Sequence, residues 1–199
     1  MVELKNICVF CGSSKGFHEK YMNHAKLLAE EMAREGLDLV YGGANIGLMK
    51  TMADTVLENG GNVIGVMPQR LTDKEIAHTK LTEMHVVDTM AERKELMAAR
   101  SDAFIALPGG IGTLDELFEV LSWNQLGLMH KPVSILNTDG FYDDMLSFLK
   151  RAEHDKFMRE EHLRNLIVED SPSRLIIKLR SYTYHVAEKW VDRLKEVGY

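Results

Sequence analysis

The chain has 199 residues, enough for one domain or one domain with a tail, and its 45% hydrophobic and 27% charged content is that of an ordinary globular protein with a sizeable core. A formal net charge of -6 argues against a nucleic-acid partner, which is usually met by a basic domain or stripe, but leaves room for one cationic pocket and a small anion. No run of ~20 apolar residues is present, so no membrane span is expected, and the opening MVELKNICVFCGSS lacks the basic start and long apolar run of a signal peptide, which makes the cytoplasm the expected compartment.

Short apolar runs alternate with longer helical patterns along the chain. NICVFCG (6–12) reads as a buried strand and holds the two cysteines, Cys8 and Cys11. Their C-x-x-C spacing invites a redox or metal reading. Residues three apart on a strand point to opposite faces, however, so the pair reads as two structural thiols. EKYMNHAKLLAEEMAREG (19–36) places Tyr21, Ala25, Leu28, Ala29 and Met32 on one helical stripe, with Gly36 as C-cap. LDLVYGG (37–43) is a second strand, 45–61 a second helix and NVIGVMP (62–68) a third strand. Residues 69–82 are polar and irregular. EMHVVD (83–88) is a fourth strand, followed by a helix over 89–101 with Thr89 as N-cap. AFIALPGG (103–110) is a fifth strand and 112–127 its helix. A strand at 131–137, a helix at 140–155 and a strand at 163–170 come next. The helix over 171–182 opens with Ser171 as N-cap and Pro172 in its first turn, and 185–199 reads as one more amphipathic helix.

This alternation predicts an α/β fold: a single doubly wound, Rossmann-like domain with a mainly parallel sheet and helices on both faces. The expected division is residues 1–182 for the domain and 183–199 for a C-terminal helical extension of it. Ligands of such folds bind beyond the carboxyl ends of the strands. Four segments end strands there: CGSSKG (11–16), YGGANIG (41–47), VMPQRL (66–71) and LPGGIGT (107–113). Three of them are rich in glycine or serine, Ser13 and Gly43 among them. One such turn could be explained by turn geometry alone. Three at one edge, each before a helix, point to a bound phosphate.

The common nucleotide fingerprints are not met. No window supplies G-x-x-x-x-G-K-[ST], and in G-x-G-x-x-G the third position after Gly110 and Gly112 is taken by Asp115. Asp115 and Glu116 would repel a pyrophosphate, so the loop Gly109-Gly110-Ile111-Gly112-Thr113 is read as the seat of a single phosphate. Thr113 and Glu116 share one helical face. Taken locally, Glu116 is either a working carboxylate or a solvated acid at a helix start. The preceding helix carries Met90, Arg93, Leu96, Met97 and Arg100 on one stripe, and Lys94 beside Arg93 adds cation density. A lone arginine on such a stripe would snorkel to solvent.

Pro108, Gly109, Gly110, Gly112, Thr113 and Glu116 meet every fixed position of P-G-G-x-G-T-x-x-E. With the Arg93-Lys94 pair and the segments CGSS, YGGANIGLM and SDAFIALPGG, the chain resembles the Lonely Guy (LOG) family from about residue 6 to about residue 180. These are the cytokinin-activating phosphoribohydrolases long mislabelled as lysine decarboxylases. The resemblance implies hydrolysis of the N-glycosidic bond of a purine nucleoside 5'-monophosphate, of the N6-substituted adenine type, to free base and ribose 5-phosphate. It implies catalytic roles for Arg93 and Glu116. It further implies substrate contacts at Ser13, Gly43, Glu75, Lys94, Gly109, Gly110, Ile111, Gly112, Thr113, Leu114 and Asp115, without cofactor or metal. It also implies a homodimer, for which 118–129 is a candidate surface or else core. The chain departs from the family at Ala91, where histidine is frequent, at Lys50, where glycine is, and at Ile111, where tyrosine or phenylalanine is. Competing readings are a lysine decarboxylase, which needs pyridoxal phosphate on a Schiff-base lysine, a general AMP nucleosidase, and a non-catalytic nucleotide or cofactor carrier or sensor of the same fold.

Overall fold

Seven strands lie side by side in one sheet: β1 Asn6–Phe10, β2 Asp38–Tyr41, β3 Val63–Pro68, β4 Glu83–Val87, β5 Ala103–Ala106, β6 Val133–Leu136 and β7 Leu166–Glu169. Their order is β4-β3-β2-β1-β5-β6-β7, and every neighbouring pair is parallel. The computed structural model describes residues 3–72 and 76–185. The strands are short and apolar because both faces of the sheet are covered: β3, β5 and β6 are buried at every position.

The helices supply the cover. On one face α1 (Glu19–Arg34), α2 (Gly47–Glu58) and α8 (Pro172–Arg180) bring Leu28, Met32, Met52, Val56 and Leu175 onto Ile7, Leu39 and Ile105. On the other, α4 (Met90–Ala99), α5 (Ile111–Gln125) and α6 (Asp143–His154) bring Met97, Leu117, Val120 and Leu149 onto Cys8, Phe10, Val40 and Phe104. Cys8 and Cys11 therefore lie in different apolar layers, as alternation along the strand requires. The chain moves outward from β1 through β2, β3 and β4, then returns to the opposite side of β1 with β5. The turns after β1 and β5 consequently diverge and leave a crevice between them.

Several boundaries differ from the sequence reading. Residues 69–82, read as irregular, contain the single-turn helix α3 (Gln69–Thr72) and an antiparallel bridge between Ala44 and Ala77. The last strand begins at Leu166 rather than at 163, because Glu160–Arg164 forms the short helix α7. The fifth strand ends at Ala106, and α5 starts at Ile111 directly after Gly110. A 3-10 turn over Thr138–Gly140, with Asp139 at φ 55°, precedes α6. Helical turns of three to five residues carry too little periodicity to be legible. The helix expected over 185–199 lies outside the described residues beyond His185.

Candidate active site

The carboxyl ends of β1, β2, β3 and β5 surround a cleft of about 480 Å³. Its floor and walls come from Cys11–Ser13 after β1, Gly42 and Ala44 after β2, Met67 of β3, Met90 and Arg93 of α4, and Gly110–Thr113, Asp115 and Glu116 of α5 and its approach.

At one end two helices point their N-termini inward. No side chain caps the first turn of α5, whose N-cap is Gly110, and none caps α2, whose N-cap is Ile46. Backbone N–H groups in the first turn of α5 can take an anion, whereas in α2 the Leu48 N–H is already given to Gly12 O; both helix dipoles favour an anion. Backbone contacts hold the two ends together. Gly12 N–H donates to Pro108 O at 3.1 Å, and Leu48 N–H donates to Gly12 O at 3.1 Å. Gly47, at φ +57°, lies so close to Ser13 that a Cβ would strike its carbonyl. A Cβ on Gly109 would likewise run into Thr113 Oγ1, so the loop closes over a threonine that is 3% exposed. A second hollow of about 300 Å³ adjoins the cleft and shares Gly12, Ser13 and Gly110 with it.

The charged centre lies about one and a half helical turns further on. Helix α4 starts at a capping box in which Thr89 Oγ1 accepts from Glu92 N–H and the Glu92 carboxylate accepts from Thr89 N–H. That box places Arg93 in the first turn, beneath β3. Arg93 Nε donates to Val66 O at 3.2 Å, and Nη1 donates to Glu116 Oε1 at 2.5 Å. The two side chains are only 10% and 12% exposed, so the pair is desolvated as well as charged. Burial pushes the Glu116 carboxyl above the ordinary range against the downward pull of Arg93, and Asp115 pushes it further. Asp115 faces the other way, onto Lys94, whose Nζ lies 3.2 Å from Asp115 Oδ2 and 3.0 Å from Glu119 Oε1. Burial pulls the Lys94 ammonium down, but Glu119 and Asp115 outweigh it and hold the amine above its ordinary value. The adjacent acids thus serve different cations, and only Glu116 is committed to the interior.

Among the residues expected at the site, Ser13, Arg93, Gly110, Ile111, Gly112, Thr113, Asp115 and Glu116 meet in the cleft, and Gly109 lines the adjoining hollow. Three do not reach the cleft wall. Gly43, at φ +77°, turns the chain and faces Met84 and Met67 beneath it, while its neighbours Gly42 and Ala44 line the cleft. Leu114 is rotated onto the outer face of α5, against the second apolar layer. Lys94 is engaged by Asp115 and Glu119. Glu75 lies outside the described residues. The sequence reading missed an apolar wall of Ile46, Met49, Met67, Leu71, Ile76 and Met90. The signal available was the methionine content, 12 in 199 residues, since methionine readily shapes itself to a flat ligand. Among the described residues, no group of three His, Cys, Asp or Glu could hold a metal ion.

An open parallel sheet with helices on both faces and a glycine-rich crevice at the strand-order reversal defines a Rossmann-like α/β protein. Solved structures share this architecture. The molybdenum cofactor binding protein of Rippkaea orientalis matches at TM-score 0.68 and 24% identity, over 91% of this chain and 98% of that one. The Moco carrier protein of Chlamydomonas reinhardtii matches at TM-score 0.68 and 21% identity, over 90% and 97%. At these identities the likeness is one of fold. The family model described as "Possible lysine decarboxylase" matches residues 49–179. Cytokinin riboside 5'-monophosphate phosphoribohydrolase LOG of Oryza sativa subsp. japonica is 45% identical over 192 residues, 96% of this chain and 79% of that protein. The Arabidopsis thaliana phosphoribohydrolase LOG5 is 46% identical over 178 residues, 89% of this chain and 78% of that protein. The chain belongs to the Lonely Guy (LOG) family. The decarboxylase label of the family model is not shared by these relatives, which are named phosphoribohydrolases.

Proposed function

We propose that this protein hydrolyses the N-glycosidic bond of an N6-substituted adenosine 5'-monophosphate and releases the free base and ribose 5-phosphate. The buried Arg93–Glu116 pair carries this reading, because it lies about one and a half helical turns from the uncapped start of α5. That spacing suits a nucleotide whose phosphate takes the N–H groups of Gly110–Thr113 while its ribose lies over Glu116. The apolar wall of Met49, Met67, Leu71 and Ile76 suits the purine. The names of the rice and Arabidopsis relatives support the same substrate class.

Breaking the bond builds oxocarbenium character on the ribose. An ionised Glu116 would stabilise that charge and take a proton from the attacking water. Arg93, fixed by Val66 O, would hold the carboxylate in place and keep it ionised inside a desolvated cleft. The phosphate would contribute binding energy remote from the reacting carbon, which positions C1' over Glu116. Asp115, neutralised by Lys94, would not oppose the incoming anion.

Steady-state assays of base release from AMP and N6-alkylated AMP test the reading. Glu116→Gln keeps an acceptor for Arg93 but no base, and is expected to lose ~10²-fold or more in rate. Nucleotide binding without release of base by the unaltered protein would instead favour a carrier or sensor. We infer in addition that the protein works as a homodimer in the cytoplasm. The exposed apolar residues Ile111, Leu126 and Leu128 at the two ends of α5 support the first inference, and two buried free thiols suit a reducing compartment.

A further inference from the structure

Residues 76–80 run past the turn after β2 and put Ile76 into the cleft wall beside Ala44. Asn45 N–H donates to Ile76 O at 2.8 Å, His78 N–H donates to Gly43 O at 2.8 Å, and Ala44 pairs with Ala77. A bridge this short holds little by itself. Side chains reinforce it. His78 is 6% exposed, and its Nδ1 accepts from Lys80 N–H at 3.1 Å. That contact assigns the ring proton to Nε2, which donates to Asp54 Oδ1 of α2 at 2.9 Å. Asp54 Oδ2 takes Lys50 Nζ at 2.8 Å, and Lys50 Nζ also donates to Asn45 Oδ1 at 3.1 Å. Burial pushes the Asp54 carboxyl up, but the hydrogen bonds from Lys50 and His78 overcome it and keep the group below its usual range, hence ionised. The chain Asn45–Lys50–Asp54–His78 therefore closes a loop from the turn after β2, along α2, into the 76–80 segment and back through the backbone. Lys50 is one of its links.

We propose that His78 is a positioning residue: through Asp54 and Lys50 it fixes the 76–80 segment on the 43–45 turn and so sets the cleft wall that selects the base. None of the four side chains lines the cleft, so the effect passes through Ile76 and Ala44. The phosphate end, built from Gly12, Ser13, Gly110–Thr113 and the start of α2, is lined by no side chain of this network, although Lys50 and Asp54 follow in the same helix. The two ends of the substrate should therefore respond separately. The proposal rests on the hydrolase reading for its substrate.

The test compares the unaltered protein with Asp54→Ala, Asp54→Asn and Lys50→Met. It measures kcat and KM for N6-alkylated AMP, and the inhibition constant of ribose 5-phosphate, which lacks a base. Asp54→Ala should raise KM about tenfold with kcat changed less than about threefold, since displacement of a binding wall weakens positioning of the base. The ribose 5-phosphate constant should stay put. Asp54→Asn, which keeps an acceptor for His78, should recover most of the loss. Lys50→Met alters a half-exposed side chain, leaves the fold intact and should shift KM the same way by less. An unchanged KM in Asp54→Ala and Lys50→Met, or KM and the inhibition constant rising together, would overturn the proposal. Should the unaltered protein cleave no nucleotide, the hydrolase reading fails on its own. Calorimetric binding of AMP and of ribose 5-phosphate to the same variants then decides the positioning role by the same split.

Discussion

Glu116 and Asp115 are adjacent in the chain, yet their surroundings assign them opposite parts. Asp115 reaches outward to Lys94, whereas Glu116 is turned inward against Arg93 and loses its water. A carboxyl raised in the folded chain binds its proton more tightly there than when unfolded. Its stabilising contribution is present at low pH and is lost as pH rises through the folded value. Ionising Glu116 in the folded chain therefore costs stability, a frequent arrangement for a working group. In the proposed mechanism the ionised form acts as the base, so the acid limb of the kcat/KM profile should lie above the ordinary glutamate value of about 4.3. A limb at or below that value would remove Glu116 from the acid–base role. Gly42 offers a second test. Its φ lies outside the left-handed region, so alanine is allowed by the backbone, but the added methyl would overlap the Arg93 guanidinium. Gly42→Ala should lower kcat/KM by ~10-fold or more without altering any charge. An unchanged rate would mean that the position of Arg93 is not critical. The importance of Gly42 was illegible in YGG, where Gly43 was the expected contact, because the contact partner of Gly42 is 51 positions away in the chain.

At the level of elements, the site depends on where helices begin. Thr89 was legible as an N-cap from local sequence, and the capping box it forms with Glu92 sets the register that brings Arg93 under β3. Thr89→Ala should cost about 1 kcal/mol, seen as a lower urea midpoint with an unchanged slope. A midpoint equal to that of the parent would show that packing of Met97 and Ala98 alone places α4. Helix α5 needs the opposite treatment: its first turn stays uncapped, with Gly110 at the N-cap, so that the N–H groups remain available. The glycine-rich turns before α2 and α5 announced this in the sequence. The single-turn helices α3 and α7 did not, since four or five residues span little more than one helical period and show no repeat.

Across the whole molecule, the strand order follows from a chain that alternates strand and helix and reverses direction once, and the crevice falls at that reversal. Apolar runs such as VIGVMP and AFIA made the buried parallel sheet legible, and the spacing of Cys8 and Cys11 already placed them on opposite faces. The pairing of Arg93 with Glu116 and of Lys94 with Asp115 was not legible, because it depends on how α4 and α5 approach each other across β3, β1 and β5. The proposed dimer belongs to this scale too. Leu126 and Leu128, about 70% exposed after α5, are the residues such a dimer would cover. Light scattering at low concentration should return twice the 22.6 kDa chain mass, and a value equal to one chain would rule out a stable dimer. The most direct test of the central claim remains the release of free base from N6-alkylated AMP by the unaltered protein and by Glu116→Gln, followed side by side. The account predicts turnover by the first and a loss of ~10²-fold or more in the second, with nucleotide still bound; equal turnover by both proteins would contradict it.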